Sequence, residues 1–478
     1  MVLVFPFRYR FEFDPDEGIN AIKAMLNIQG FQLFSDIWSD QPPLFTMLIT
    51  LWFRVFGQSI TAGRGLVLLF SASILWVTIQ YLRQFFGDLH AIFGIFAIVF
   101  LPYYLVLSVS IMIGLPAITL ALLSFFGLAL WHKFGDSKWL VLSALALGFS
   151  IMMKLFTAIL VPIILLGILL TGWMDYRHHR DWFKACKPLV IWLTLFSVAT
   201  GSILIFVVKP EYVLQLTQVH LTAGESTLFK AYAENKTLIF LSHIKDSLPV
   251  LILAYLGGIS AYRSRSWTAM YLVAWVTTGF IFLSVNVPFW YHHQLLITVP
   301  GAILAAIAIG NGYIELRKVL RSRETNGIGI ALGAFSFILA LTFIVARLAP
   351  TVTQLDLKLP NLQGQPEEKS DEQEILALML DHAHLTNWVY TDRPMFAFRT
   401  QLPVPPSLAV LSKKRIAAGA LTEDQILEIL VEYKPEQVFT GRFDLPVIQE
   451  YTSTRNFRRV DFSEKVSLYI RKEILQIP

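Results

Sequence analysis

Apolar residues in this chain fall in blocks of about 16–25 residues, the length of helix that crosses the roughly 30 Å hydrocarbon core of a bilayer. This block length constrains the fold more than any other feature of the sequence. Only helices and closed barrels satisfy their backbone hydrogen bonds in lipid, and a barrel would show alternating segments of about ten residues. The sequence lacks such segments and therefore predicts an all-α polytopic membrane bundle.

The blocks predict about 10–11 transmembrane helices. Residues 43–56 are apolar but shorter, which is typical of an interfacial or re-entrant helix. The full spans are predicted at roughly 60–85, 89–107, 111–131, 138–153, 155–173, 188–208, 247–262, 267–285, 294–312 and 327–349.

Lysine and arginine in the short loops predict the orientation of the bundle, because cytoplasmic loops carry an excess of these residues. The opposite loops, including 108–110 and 286–293, are nearly free of positive charge. The chain is therefore predicted to be a multi-pass protein of the cell (inner) membrane, with 8–59, 209–246 and the tail on the extracytoplasmic side. The positive set consists of Arg83, Lys133, Lys138, Arg177, Arg180, Lys184, Lys187, Arg263, Arg265, Arg317, Lys318, Arg321 and Arg323.

The chain divides into a membrane domain, 1–350, and a small C-terminal α/β domain, 351–478, where the composition becomes charged and polar. In the tail, LTEDQILEILVEY predicts a helix with a capping box, and WVYT, QVFTG and VSLYIRK predict strands. At the other end, Met1–Phe7 is apolar but too short to span, as if a first helix lacked its beginning. A single cysteine, Cys186, excludes an intrachain disulfide.

Carboxylates cluster in the first external segment, beside helices that should lie along the membrane surface. Ionisable groups at a membrane face are costly and therefore candidates for function, although an aspartate at a helix start is also a good N-cap. The cluster contains Asp14, Asp16, Glu17, Asp36 and Asp40.

With these residues the segment resembles the first periplasmic loop of lipid-linked-sugar glycosyltransferases of the GT-C fold. That family includes the protein O-mannosyltransferases and the aminoarabinose transferase of lipid A, a group also classed as glycosyltransferase family 39. The resemblance extends to YHHQLLITVPGAILAA at 291–306 and covers most of the chain. The matching positions are Asp16, Glu17, Gly30, Asp40, Gln41, Pro42, Pro43, Phe56, Gly57, Ser59 and Arg64.

The resemblance implies transfer of a hexosyl or pentosyl group from a polyprenyl-phosphate donor to an acceptor hydroxyl, with inversion. It implies that Asp16 is the general base that takes the acceptor's proton and that Glu17 supports the loop or the acceptor. Asp14 is a rival base. The partners are a polyprenyl-phosphate-linked sugar, the membrane, and a lipid, protein or glycan acceptor. Nucleic acid is not expected, because the net charge of +5 lies mostly in loops between spans.

The leaving lipid phosphate needs positive charge, because charge develops on it in the transition state. Lys154 is either a partner of this phosphate or a snorkelling residue at a helix end. Tyr291, His292 and His293 either face the lipid-phosphate groove or belong to an interfacial aromatic belt. Arg64 either anchors the first loop or contacts the phosphate.

A divalent metal ion is an open cofactor alternative, because the aminoarabinose branch places an acid before proline and a histidine in the large middle loop. The corresponding residues here are Asp40 and His220, and a carboxylate with an imidazole is acceptable zinc chemistry. That branch has Glu-Lys-Pro where this chain has Asp-Gln-Pro, so one positive group beside the acid is lost.

Two other function classes stay open on the sequence: a secondary transporter or lipid flippase, and a non-catalytic scaffold. A transporter should carry ionisable residues or broken helices near mid-membrane, often in two related halves, whereas the charges here concentrate at one face. The chain contains no Walker A sequence, which disfavours ATP hydrolysis. It also has no Asp-x-Asp after a Rossmann-like strand, which disfavours a nucleotide-sugar donor.

Overall fold

The computed structural model of the chain describes residues 10–207, 209, 213–222, 227–322, 327–354 and 371–475. The expected remnant of a first helix, Met1–Phe7, lies outside these residues. The helices of the membrane part are α1 (Pro15–Ile28), α2 (Leu44–Phe56), α3 (Ile60–Phe85), α4 (Asp88–Val99), α5 (Tyr104–Leu107), α6 (Gly114–Phe134), α7 (Ser137–Met153), α8 (Val161–His179), α9 (Trp182–Val207), α10 (Val213–Thr222), α11 (Thr227–Glu234), α12 (Lys236–Ile244), α13 (Leu248–Arg263), α14 (Trp267–Val285), α15 (Leu295–Ser322) and α16 (Gly327–Gln354).

The described helices confirm a polytopic membrane bundle. Seven of the helical segments are long and apolar enough to cross a membrane, and four shorter apolar helices accompany them. Among the shorter ones is α2, which matches the short segment expected at 43–56. α15 runs through the middle of the bundle, with 94% of its most apolar stretch buried. The large apolar core of the bundle forms around it and α6.

One predicted span is wrong: residues 89–107 do not form one helix. α4 ends at Val99, and α5 starts only at Tyr104. Pro102 lies in the break, where it removes a backbone donor and blocks helix continuation. Tyr103 then takes a left-handed backbone conformation with φ of 62°. The chain consequently reaches 104–113 as a buried, partly irregular segment beneath α1, where Ile111 contacts Asn20 and Glu17.

The sequence predicts that successive loops alternate between a positively charged end and an uncharged end of the bundle. Contacts between loops at each end agree with this prediction. At the end rich in positive charge, the Lys133 ammonium donates to the Gln84 carbonyl at 3.1 Å. At the opposite end, the Asn20 amide donates to the Ile111 carbonyl at 2.9 Å. The first external segment therefore packs on the end of the bundle that carries few lysines and arginines.

The C-terminal domain is a four-stranded mixed sheet covered by helices. The strand order is β1-β2-β4-β3, with β1 and β2 parallel and the other neighbours antiparallel. Three strands and the capped helix α20 confirm the sequence-based expectations, and β3 was not expected. The elements are α17 (Asp371–Asp381), β1 (Val389–Thr391), α18 (Pro394–Thr400), α19 (Lys413–Ala417), α20 (Glu423–Tyr433), β2 (Gln437–Thr440), α21 (Pro446–Ser453), β3 (Phe457–Asp461), β4 (Ser467–Arg471) and α22 (Lys472–Leu475).

The C-terminal domain shares a hydrophobic core with the first external segment instead of standing apart from it. One cluster of buried residues runs from α1 and α2 into α18 and the sheet. Phe53 stacks on Phe398 with ring centroids 5.5 Å apart. At the rim of this core, the Arg393 guanidinium pairs with the Glu12 carboxylate at 2.7 Å. The tail and the first loop thus form one extramembrane layer.

Gly18 makes this docking possible, because α1 and α18 approach to backbone contact there. A Cβ atom at Gly18 would lie 2.4 Å from the backbone nitrogen of Met395. Backbone atoms cannot move aside as a flexible side chain can, so a methyl group at this position would push the two helices apart.

We therefore expect Gly18→Ala to destabilise the folded protein by about 1–3 kcal/mol, the usual cost of overpacking. Gly65→Ala is the matched control, because a Cβ at Gly65 has no heavy atom within 4 Å. Alanine in a helix interior is itself favourable relative to glycine. Thermal unfolding of both purified variants is the measurement. Equal midpoints for the two would contradict the close approach of α1 and α18.

Candidate active site at one end of the bundle

A buried salt bridge fixes the start of the first external helix against the bundle. The Arg64 guanidinium contacts both carboxylate oxygens of Glu17, at 3.0 Å and 2.8 Å, and both side chains are inaccessible to solvent. Glu17 also accepts hydrogen bonds from the backbone N–H groups of Phe13 (2.6 Å) and Ile111 (3.0 Å). Arg64 donates in addition to the Arg10 carbonyl at 2.9 Å.

This geometry bears on two of the sequence-based assignments. Glu17 is enclosed and saturated with donors, so the structure gives it a supporting position and not one facing a substrate. Arg64 turns its guanidinium inward to the same carboxylate. Of its two alternatives from the sequence, the geometry favours the loop anchor over the phosphate contact.

Removing one partner of a buried ion pair leaves an uncompensated charge, at a cost of about 3–5 kcal/mol. We expect Arg64→Leu to lower the stability of the purified protein by this amount. Arg54→Leu serves as the control, because Arg54 is exposed on α2. Thermal or denaturant unfolding in detergent gives the comparison. A loss no larger for Arg64→Leu than for Arg54→Leu would contradict a structural role for the pair.

Asp14 and Asp16 differ in what holds them, although they are two residues apart. Asp14 is the N-cap of α1, and its carboxylate accepts from the Asp16 backbone N–H at 2.9 Å and from the Tyr291 hydroxyl at 2.8 Å. The Asp16 carboxylate is half-buried, and no side chain or backbone group in the described part of the chain donates to it. Asp16 is therefore the acid that remains open to a ligand.

The charges around Asp16 come from distant parts of the sequence. Burial and the neighbouring charge of Asp14 raise the pKa of Asp16 to about 6, while the cations Arg442 and Lys154 oppose this rise. Lys23 lies about two helical turns after Asp16 on α1. It is buried, and burial lowers its pKa against the opposing charges of Asp40 and Asp16. A carboxyl group with a pKa near neutrality in a mixed cluster of charges is typical of an acid–base residue.

Lys154 is the residue between α7 and the following 3-10 helix, 155–160. Its extended backbone conformation separates the two helices. Its ammonium lies over the Phe156 ring, 4.9 Å from the centroid, and 4.0 Å from the position a Cβ would take at Gly114. Gly114 opens α6, so the lysine lies beside a helix start that carries no side chain. Burial lowers the pKa of Lys154 to about 8, and Asp16 opposes that shift.

The turn at 291–293 lies beside both the start of α1 and the segment that carries Lys154. Tyr291 bonds to Asp14, as described, and the His293 ring lies 6.3 Å from that of Phe156. His292 is buried, and none of the described residues offers a hydrogen bond to its Nδ1 atom. The structure therefore brings Asp16, Lys154 and the 291–293 turn together at one end of the bundle. Their separate catalytic and phosphate-binding roles stay predictions.

Asp40 lies beside a lysine of the C-terminal domain. Its carboxylate is 3.8 Å from the Lys414 ammonium, and both side chains are largely buried. The preceding Ser39 backbone N–H donates to the Gln215 side chain at 3.3 Å, which attaches α10 to the first segment.

A metal ion at Asp40 would have to be accommodated beside the Lys414 ammonium. No group of three potential metal-ligating side chains occurs among the described residues. A lysine ammonium close to the carboxylate would also repel a divalent cation. The side chain of His220, the other expected ligand, lies outside what the structure describes, so a metal bound by the two residues stays a prediction.

Lys23, Lys414 and Arg442 are members of the charged cluster that the sequence did not identify. Lys23 could have been found, because it follows Asp16 by seven residues and so lies on the same face of α1. Lys414 and Arg442 had no such signal, because only the docking of the C-terminal domain brings them near the first segment.

Residues 40–206 match the family described as dolichyl-phosphate-mannose-protein mannosyltransferase, a range that includes Asp40, Arg64 and Lys154. No curated protein sequence matches the chain. Among solved structures, ArnT from Cupriavidus metallidurans bound to undecaprenyl phosphate is similar with a TM-score of 0.60 at 15% identity, covering 98% of this chain and 96% of that one.

This chain has the GT-C fold of the protein-mannosyltransferase and ArnT type. ArnT from Cupriavidus metallidurans in the apo state is also similar, with a TM-score of 0.57 at 14% identity over 98% of this chain and 95% of the other. The apo oligosaccharyltransferase of Archaeoglobus fulgidus matches with a TM-score of 0.51 at 13% identity, over 90% of this chain and 66% of that one. The resemblance inferred from the first external segment is thereby confirmed, and the comparisons support a glycosyltransferase.

Proposed function

We propose that this GT-C protein transfers a sugar from a polyprenyl-phosphate donor to an acceptor at the extracytoplasmic face of the cell membrane. The observation that carries the proposal is the approach of Asp16, an acid without a described hydrogen-bond donor, to Lys154 at the membrane boundary. The similar ArnT structure bound to undecaprenyl phosphate supports the class of donor. The sugar is a hexosyl or pentosyl group, and the acceptor is a lipid, a protein or a glycan.

The reaction is a single displacement with inversion at the anomeric carbon. The acceptor hydroxyl oxygen forms the new bond to that carbon, and Asp16 takes the hydroxyl proton as general base. The bond from the anomeric carbon to the phosphate oxygen breaks, and the electron pair leaves with the lipid phosphate. In this proposal Lys154 and His292 stabilise the charge that develops on this phosphate.

Asp16 is a better general base than its neighbour Asp14. The Asp14 carboxylate already caps α1 and accepts from Tyr291, so protonating it would weaken two hydrogen bonds that hold the site together. The Asp16 carboxylate accepts no such structural hydrogen bond among the described residues, and its raised pKa favours acceptance of a proton near neutral pH. Asp14 then positions the start of α1, and the ion pair between Glu17 and Arg64 attaches the start of α1 to α3.

We expect Asp16→Asn to reduce transfer by about 10²–10⁴-fold, the contribution typical of a general base, and to leave donor binding intact. Asp36→Asn is the control, because Asp36 is an exposed acid of the same segment. Mass spectrometry of glycolipids and glycoproteins from cells with and without the gene identifies the product. The amount of that product formed by each variant then measures its transfer activity. Full activity of Asp16→Asn would remove Asp16 from the catalytic role.

The pKa values of Asp16 and Lys154 predict how the transfer rate depends on pH. A base must be deprotonated, so the rate should rise as pH increases through about 6. Lys154 stabilises phosphate only while protonated, so the rate should fall above about pH 8. The two groups interact, and the profile reports apparent values for the pair.

Replacing Lys154 with arginine separates the two limbs of this profile. A guanidinium stays protonated throughout this range, so Lys154→Arg should keep the acidic limb and lose the alkaline fall. The initial rate of product formation from pH 5 to pH 9 is the measurement. A wild-type rate that does not change across this interval would contradict both assignments.

A further inference from the structure

Side chains of the membrane part hold the chain just before α1, residues 10–13. The Phe13 N–H donates to the Glu17 carboxylate at 2.6 Å, and the Arg10 carbonyl accepts from the Arg64 guanidinium at 2.9 Å. Buried backbone groups need partners of this kind, because an unpaired one is costly away from water. These contacts attach the segment to the bundle, and the position of the segment decides where α1 starts.

An arginine of the C-terminal domain also holds this backbone. The Arg399 guanidinium, in the last turn of α18, donates through one nitrogen to the Arg10 carbonyl at 3.0 Å and to the Phe11 carbonyl at 2.7 Å. Its guanidinium carbon lies over the Phe11 ring, 4.9 Å from the centroid. No other described residue donates to the Phe11 carbonyl. The Arg10 carbonyl is thus shared by guanidinium groups from the bundle and from the C-terminal domain.

The first turn of α18 holds the next residue of the same segment. Arg393, the N-cap residue of α18, pairs with the Glu12 carboxylate at 2.7 Å, and the exposed fractions of the two side chains are 22% and 14%. Between the two ends of α18, the Phe396 ring packs on the Phe11 ring with centroids 4.5 Å apart. α18 therefore contacts the segment along its whole length.

This arrangement bears on Asp16, which lies in the first turn of α1 a few residues after the segment. Because no described group donates to the Asp16 carboxylate, the direction of that side chain depends on the backbone that carries it. A general base must lie within hydrogen-bond reach of the proton that it takes. Without Arg399, the Phe11 carbonyl would lose its described donor, and only the Glu12 ion pair would still tie the segment to α18 through a polar contact.

We propose that Arg399 is a positioning residue for catalysis, which acts through the backbone at 10–13 to set the direction of Asp16. Arg393 supports the same segment through Glu12. The proposal rests on the transferase function proposed above, and it adds a residue of the C-terminal domain that acts without touching the substrate. Docking of the C-terminal domain then orients the proposed base.

The test measures product formation in membranes that contain Arg399→Leu or the wild type, per amount of folded protein. We expect the rate to fall about tenfold to a hundredfold, because a displacement of about 1 Å has an effect of that size. Binding of undecaprenyl phosphate to the purified full-length variant should stay as in the wild type. Arg458→Leu is the matched control, because Arg458 is exposed in the same domain, and its rate and binding should be unchanged.

A double variant decides whether Arg399 acts through Asp16. In the Asp16→Asn background the base is already lost, so Arg399→Leu should cause no further loss of the residual rate. An equal fold-loss in both backgrounds would reveal an independent or purely structural role and overturn the proposal. A wild-type rate of Arg399→Leu would overturn it as well, and so would a loss of undecaprenyl phosphate binding in proportion to the rate.

Two further variants keep the proposal testable if Arg399→Leu does not fold. Arg399→Gln is shorter and uncharged, and it should lose rate in the wild-type background and not in the Asp16→Asn background. Arg399→Lys keeps the charge and three donors, so it should retain more of the rate than Arg399→Gln. Rates of Arg399→Lys no higher than those of Arg399→Gln would contradict the proposal.

The transferase function and this proposal fail through different results. Full activity of Asp16→Asn would remove the proposed base, whatever the Arg399 variants do. If Asp16→Asn is inactive and the Arg399 variants transfer as the wild type does, the transferase function survives and only the positioning role of Arg399 is lost.

Discussion

The enclosed ion pair between Glu17 and Arg64 is the interaction on which this end of the bundle depends. It joins the start of α1 to the start of α3, and the same carboxylate accepts the backbone N–H of Ile111 beneath them. A charge pair without access to water is stable only when its geometry is nearly complete. That requirement fixes the position of α1 on the bundle and, through it, the direction of Asp14 and Asp16.

The site is built at an interface and not within one element. The first segment supplies carboxylates, the ends of spans supply Lys154 and the 291–293 turn, and the C-terminal domain supplies Lys414 and Arg442. A hydrophobic core shared by α1, α2 and α18 holds the outer part of this arrangement. Polar groups can therefore stay partly buried at the membrane boundary, because the packing around them excludes most water and their opposite charges compensate one another.

Sequence alone determined the helical bundle and the α/β tail, because the length of an apolar block and the period of a strand are local properties. It also predicted roles for Asp16, Lys154 and residues 291–293, and those roles stay predictions. It did not identify the break at Pro102 within an apolar run, or β3, whose residues are mostly exposed. Only the tertiary structure decided that Asp14 is a cap, that Arg64 faces inward, and that Lys414 reaches Asp40. Those facts depend on contacts between segments up to several hundred residues apart, and such contacts leave no periodic trace in the chain.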